Sequence, residues 1–139
     1  MKEILKFFSN LSNKEQDFLN NEIELVSLKP GQPLNDFKTL PAGIFYVIQG
    51  KLRLIAYDEV KEPFSIETYS KGQLAGVNQL VRGATGQVLT SSTQTKCEIL
   101  PAKSFLRMVA NEKFNEDLIK EVMVSELYDV ASKSNIPNK

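Results

Sequence analysis

Residues 71–90 hold most of the chemistry this chain can offer. Four of its seven glycines stand there (Gly72, Gly76, Gly83 and Gly86), among the polar side chains of Asn78, Gln79, Arg82, Thr85, Gln87 and Thr90. Glycines at this density permit positive φ and let a ligand or another backbone approach closely. Between Gly76 and Gly83 the spacing predicts one turn of helix, Val77 to Arg82. Its first amides, at Asn78 and Gln79, could cradle an anion. Arg82 follows that turn and could swing inward as an anion ligand; a solvated loop arginine is the structural alternative. Thr85 and Thr90 are weak donors that turn and strand roles explain equally well. Gly86, Gln87 and Val88 lead into the next apolar run. The whole stretch also reads as a tight connection inside a β-barrel.

Other chemistry is scarce. Histidine is absent, and zinc, copper and non-haem iron sites, like most general-base mechanisms, lean on imidazole. The one cysteine, Cys97, lies in an apolar run with Ile99 and Leu100 and reads as a buried, inert thiol. No acid/base pair or nucleophile constellation is visible, so a non-enzyme without a cofactor is expected. Lys plus Arg is 17 and Asp plus Glu is 17, so the formal net charge is zero; a nucleic-acid surface normally shows a basic excess. The N-terminus carries Glu3 within its first residues and lacks the apolar core of a signal peptide. No stretch approaches the roughly 18 apolar residues of a membrane span. A cytoplasmic protein with no nucleic-acid partner is expected.

With 139 residues, 42% hydrophobic and 24% charged, the chain suits one domain over residues 1–133, with 134–139 as a frayed tail. Residues 1–10 carry Ile4, Leu5, Phe7 and Phe8 at near-helical spacing. Ser12 and Glu15 form a capping box for a second helix with Phe18, Leu19 and Ile23 on its apolar side. From Ile23 the pattern turns to short strands separated by turn residues: residues 24–29, a weaker run at 32–37, then 44–49, 52–57, 64–69, 87–93 and 96–100. Beyond Pro101 the chain is helical again, and Asn111 is a candidate cap for a longer helix carrying Phe114, Leu118, Val122, Met123, Leu127 and Val130. The expected fold is mainly β with flanking helices. It is a double-stranded β-helix or jelly-roll barrel of about eight strands, with two short N-terminal helices and C-terminal helices.

This order of elements resembles the cyclic-nucleotide-binding domain family. Pro30-Gly31-Gln32 looks like the family's turn after the first strand. Phe45-Tyr46-Val47-Ile48-Gln49-Gly50-Lys51-Leu52-Arg53-Leu54 is similar to its central hairpin. Gly72-Gln73-Leu74-Ala75-Gly76 resembles the approach to its phosphate-binding cassette, and Leu100-Pro101-Ala102-Lys103-Ser104-Phe105-Leu106 its exit into the closing helices. The resemblance implies a ligand pocket at Gly76, Val77, Asn78, Gln79, Arg82, Thr85, Gly86, Gln87 and Val88, where Asn78 could donate to a purine or ribose. The cassette departs from the family pattern at both anchors. Where the family has a glutamate for the ribose 2′-hydroxyl, this chain has Val77. Where it has an arginine for the cyclic phosphate, the nearest positions are Gly86 and Gln87. Charge-assisted bonds of that kind contribute about 1.5–3 kcal/mol each, so losing two costs several powers of ten in affinity.

The expectation is therefore a regulatory or sensor domain with a degenerate cassette, binding cyclic AMP or cyclic GMP weakly or not at all. A small anionic ligand or nucleotide remains a candidate. Residues 105–130, from Phe105 to Val130, would relay the signal to an output domain or protein. That output is expected on another polypeptide or a longer chain; somewhat similar degenerate domains stand at the N-termini of some bacterial peptide exporters. Three alternatives stay open: an orthodox receptor using Arg82, a homodimerising interaction module without ligand, and a metal-free cupin-type enzyme.

Overall fold

The computed structural model describes residues 2–57, 60, 62–83 and 85–113. The chain runs from a 3-10 helix at Glu3–Phe7 through helix α1 (Asn13–Glu22) into strands β1 (Glu24–Leu28), β2 (Gly43–Gln49), β3 (Leu52–Tyr57), β4 (Pro63–Tyr69) and β5 (Leu74–Ala75). Helix α2 (Val77–Arg82) interrupts the strands before β6 (Val88–Ser91), β7 (Thr95–Pro101) and helix α3 (Ala102–Ala110). A four-stranded sheet has the order β1-β7-β2-β5, and a three-stranded sheet the order β4-β3-β6. Every pair of these strands is antiparallel. This is the mainly β jelly-roll architecture expected from the turn spacing, with seven strands among the described residues.

Alternation along β2 divides the interior in two. Ile44 packs under the helices with Ile4, Leu19, Leu100 and Phe105. Phe45 and Val47 point instead between the sheets, against Leu52, Leu54, Leu89 and Cys97, as the two-residue period of a strand requires. On β7, Cys97 belongs to the inner cluster and Leu100 to the helical one. Strand β2 is covered on both faces and therefore reads as a near-continuous apolar run. Phe105 is fully buried, and sequestering a side chain of that size contributes about 1.5–3 kcal/mol. It anchors α3 together with Met108, while Leu106 stays exposed.

The N-terminal helices cover the outer face of the larger sheet. At α1 the expected capping box is present: the Glu15 amide donates to Ser12 Oγ at 3.1 Å, and the Ser12 amide donates to Glu15 Oε1 at 2.9 Å. The first helix, expected over residues 1–10, is a single 3-10 turn. Glu98 of β7 holds it in place, its two carboxylate oxygens accepting from the Glu3 amide at 3.1 Å and the Ile4 amide at 2.8 Å. These amides have no partner inside their own turn, so a carboxylate there satisfies donors that burial would otherwise strand.

Three expectations are corrected. Residues 32–37 are not a strand; they make one bridge, Pro33 to Thr90. Pro33 has no N–H to continue a ladder, and the Asn35 carboxamide takes the next rung, accepting from the Leu89 amide at 2.8 Å and donating to the Gln87 carbonyl at 2.9 Å. Phe18 does not join the apolar side of α1: it is exposed, with the Arg107 guanidinium 4.5 Å from its ring centroid. Asn111 caps the C-terminal end of α3 rather than the start of a further helix. The longer helix expected through Val130 and the frayed tail lie outside the described residues.

Candidate ligand-binding cassette

The cassette is the connection β5–α2–β6. Strand β5 pairs with β2 through Phe45–Ala75 and Tyr46–Leu74, which presses the following residue against β2. That residue is Gly76, with φ +93°; a Cβ there would stand 2.9 Å from the Gly43 carbonyl oxygen. Both the left-handed backbone and the close approach require glycine. Helix α2 then covers the six residues Val77–Arg82, as the spacing between the two glycines predicts.

The two sides of α2 meet different surroundings. Val77 and Leu80 belong to the helical core with Phe105 and Met108. The residue standing where the resembling family has its ribose-binding glutamate is therefore packing, in an apolar setting. Asn78 and Gln79 are also buried. Gln79 donates through Nε2 to Gln87 Oε1 at 3.3 Å, while its own Oε1 is buried with no hydrogen-bond partner among the described residues. Of the residues named from sequence, the structure thus brings Gln79 and Gln87 together across the cassette.

The others are arranged differently. Arg82 is exposed in the last turn of α2. Thr85 and Gly86 are exposed, the Gly86 amide donating to the Phe37 carbonyl at 2.9 Å. On β6 the residues alternate. Leu89 and Ser91, paired with Leu54 and Leu52, are buried between the sheets. Val88 and Thr90, paired with Ile55 and Arg53, occupy the opposite face. Thr90 therefore does not line the interior as a donor.

Two positions beside the cassette escape the sequence reading. Asn35 ties the 32–39 segment to β6: its Nδ2 donates to the carbonyls of Asp36, Thr39 and Gln87 at 3.1, 3.0 and 2.9 Å. No motif announces it, because the pairing spans more than 50 residues. Glu67 of β4 is in register with Leu54, and burial alone pushes its carboxyl above the ordinary value of 4.5. The alternation of Phe64, Ile66 and Thr68 in β4 hides its inward direction, because a bulge resets the register.

Elsewhere the described residues hold no group of three His, Cys, Asp or Glu able to bind a metal. Cys97 is fully buried, and burial raises its thiol pKa to about 12, so no thiolate forms near neutrality. A cleft of about 290 Å³ opens away from the cassette, between α1 and α3, against Phe18, Arg107 and Met108. No helix among the described residues is long and apolar enough to cross a membrane.

Fold comparison places these features. The chain is similar to the catabolite activator protein of Thermus thermophilus, with TM-score 0.61 and 15% identity over 97% of this chain and 61% of that one. It is similar to the regulatory subunit of a cAMP-independent protein kinase A from Trypanosoma cruzi bound to guanosine, with TM-score 0.67 and 15% identity over 91% of this chain and 46% of that one. It also matches the sensor domain of the transcriptional regulator DNR from Pseudomonas aeruginosa, with TM-score 0.64 and 11% identity over 99% and 89%. No protein-family model and no curated protein matches the sequence. The chain has the cyclic-nucleotide-binding domain fold, the class to which regulatory and sensor domains of this shape belong. It spans about half to six-tenths of the length of the first two of these proteins.

Proposed function

We propose that this chain is a non-catalytic sensor domain whose cassette has lost the cyclic-phosphate and ribose anchors, and which signals through its C-terminal helix to another domain or protein. The observation that carries the reading is Val77. It occupies the ribose-anchor position, and its side chain is part of the helical core rather than of a ligand site. Gln87, at the other anchor, is neutral and hydrogen-bonded to Gln79. Between Gly72 and Thr90 the sequence offers one basic residue, Arg82, and it is exposed. The shared packing of Val77, Leu80, Phe105 and Met108 supports the relay, since it joins the cassette helix to α3 and so to the chain that follows. The guanosine-bound Trypanosoma cruzi subunit, itself cAMP-independent, supports a cassette of this fold serving something other than a cyclic nucleotide.

Calorimetric titration with cyclic AMP and cyclic GMP to millimolar concentration tests the reading. No heat of binding is expected. Micromolar binding would overturn it, and loss of that binding in Arg82→Ala would identify the replacement anchor.

A further inference from the structure

One end of the roll carries charge of a single sign. Four connections meet there: residues 28–32 after β1, 49–52 between β2 and β3, 69–74 between β4 and β5, and 91–96 between β6 and β7. Register brings them together, since Leu28 lies opposite Thr95, Gln49 opposite Lys96, and Leu52 opposite both Tyr69 and Ser91. Hydrogen bonds tie them side to side. The Gly31 amide donates to the Ser91 carbonyl at 2.7 Å, and the Ser92 amide to the Lys51 carbonyl at 3.0 Å. The Lys51 amide donates to Thr95 Oγ1 at 3.2 Å, and the Gly72 amide to the Val47 carbonyl at 2.8 Å.

Each connection contributes one exposed lysine: Lys29, Lys51, Lys71 and Lys96. No acidic residue stands between Glu24 and Asp36, between Asp36 and Asp58, or between Glu67 and Glu98, so these segments bring no counter-charge. Among the described residues no carboxylate pairs with any of the four lysines. The other end of the roll is mixed: Glu22, Glu24 and Glu62 stand there with Arg82 and Lys103. A chain of zero net charge thus has a positive potential of one sign at one pole only.

What fits this pole follows from what it lacks. The exposed large hydrophobics, Phe18, Phe37, Tyr57 and Phe64 among them, all lie outside these four connections. Protein interfaces are built round apolar or aromatic anchors, single-stranded nucleic acids are held on stacked rings, and duplex bases are read by arginine forks. Lysine is instead a compact, strongly hydrated charge on a flexible stem. Four of them on the turns of one end match a plane of anionic headgroups, which offers charge without a fixed register.

We propose that this end of the roll rests on the surface of a bilayer containing anionic lipid, in a peripheral contact made by Lys29, Lys51, Lys71 and Lys96 without insertion. Helices α2 and α3 leave β5 and β7 at the opposite end, so the cassette and the chain beyond α3 face away from the membrane. The contact is independent of what the cassette binds.

The test is co-sedimentation of the whole chain with phosphatidylcholine vesicles, with and without about 30% phosphatidylserine. A lysine beside an anionic surface strengthens partition about fivefold, so the anionic vesicles should be favoured by roughly a hundredfold or more. Lys51→Gln with Lys71→Gln should weaken that binding about 25-fold. Lys38→Gln with Lys103→Gln removes the same charge at the other end and should change it less than about twofold. Should a variant not fold, the wild-type preference must still vanish as salt rises to about 0.5 M. Vesicles bound alike with and without phosphatidylserine, or not at all, would overturn the proposal. Equal losses from the two lysine pairs would overturn the placement at this end. Tighter binding to duplex DNA or to polyglutamate than to the anionic vesicles would overturn the choice of lipid.

Discussion

Replacing Glu98 tests how the N-terminal turn is attached to the sheet. The carboxylate is 5% exposed and accepts from two amides, those of Glu3 and Ile4, at 3.1 and 2.8 Å. In Glu98→Ala both donors lose their partner inside the protein, and Ile4 itself is fully buried. Hydrogen bonds to a charged acceptor contribute about 1.5–3 kcal/mol each. The glutamate is solvated when unfolded and the Glu3 amide can recover water, so the net loss is about 3 kcal/mol. For a domain of this length that lowers the melting temperature by roughly 10 °C. Glu98→Gln should cost nearly as much, because its amide NH₂ must face one of the two backbone donors. Urea unfolding of both variants gives the free energies, and amide hydrogen exchange at Glu3 and Ile4 locates the damage. A loss below about 0.5 kcal/mol, within the range of an ordinary surface change, with unchanged protection at those amides, would refute the argument.

Three further outcomes follow from the same structure. Gly76→Ala must place a Cβ 2.9 Å from the Gly43 carbonyl at φ +93°; a loss of about 2–3 kcal/mol by thermal unfolding is expected. Asn35→Ala removes the acceptor for the Leu89 amide and the donor to the Gln87 carbonyl. It should cost about 2 kcal/mol and speed hydrogen exchange at Leu89, with the helices untouched. Glu67 has a folded pKa raised above its ordinary value of 4.5, so the unfolded chain releases that proton first. Its contribution to stability is present below 4.5 and is lost as the pH rises through the raised folded value. Urea midpoints across that window should fall more steeply in the wild type than in Glu67→Gln.

Local signals were the legible ones. The capping box at Ser12 and Glu15, the turn at Gly50 (φ +94°) and the short helix between Gly76 and Gly83 all rest on neighbours within a few residues, where propensity and turn chemistry act. The family-like hairpin of residues 45–54 does not form, because β2 and β3 belong to different sheets. The buried thiol of Cys97 follows from the apolar run that holds it. What escaped depends on partners far along the chain. Strand β5 is two residues long and exists because β2 accepts it. Residues 32–37 read as a weak strand, yet Pro33 and the Asn35 side chain divert their pairing with β6. Phe18 has helical spacing, but Arg107 from a helix far along the chain decides its surroundings. In the cassette the residue types were readable and their directions were not. Gln79 and Gln87 meet because the chain turns back after Gly83 and Gly86 towards β6, and Glu67 looks inward because a bulge re-aims its strand.

Helix α2 hangs between two left-handed glycines, Gly76 at φ +93° and Gly83 at φ +64°. Glycine passes between backbone basins at little cost, so these residues act as pivots at the ends of a six-residue lever. One edge of the lever is wedged among Phe105 and Met108, and the other is tethered to Gln87, just ahead of β6, by the Gln79–Gln87 bond. Close-packed interiors do not deform by degrees. Any tilt of α2 at Val77 and Leu80 is at once a misfit against Phe105 and Met108 of α3. On the function proposed above, the cassette helix and α3 are two arms of one packed piece, with the glycines at the ends of α2 as its axis.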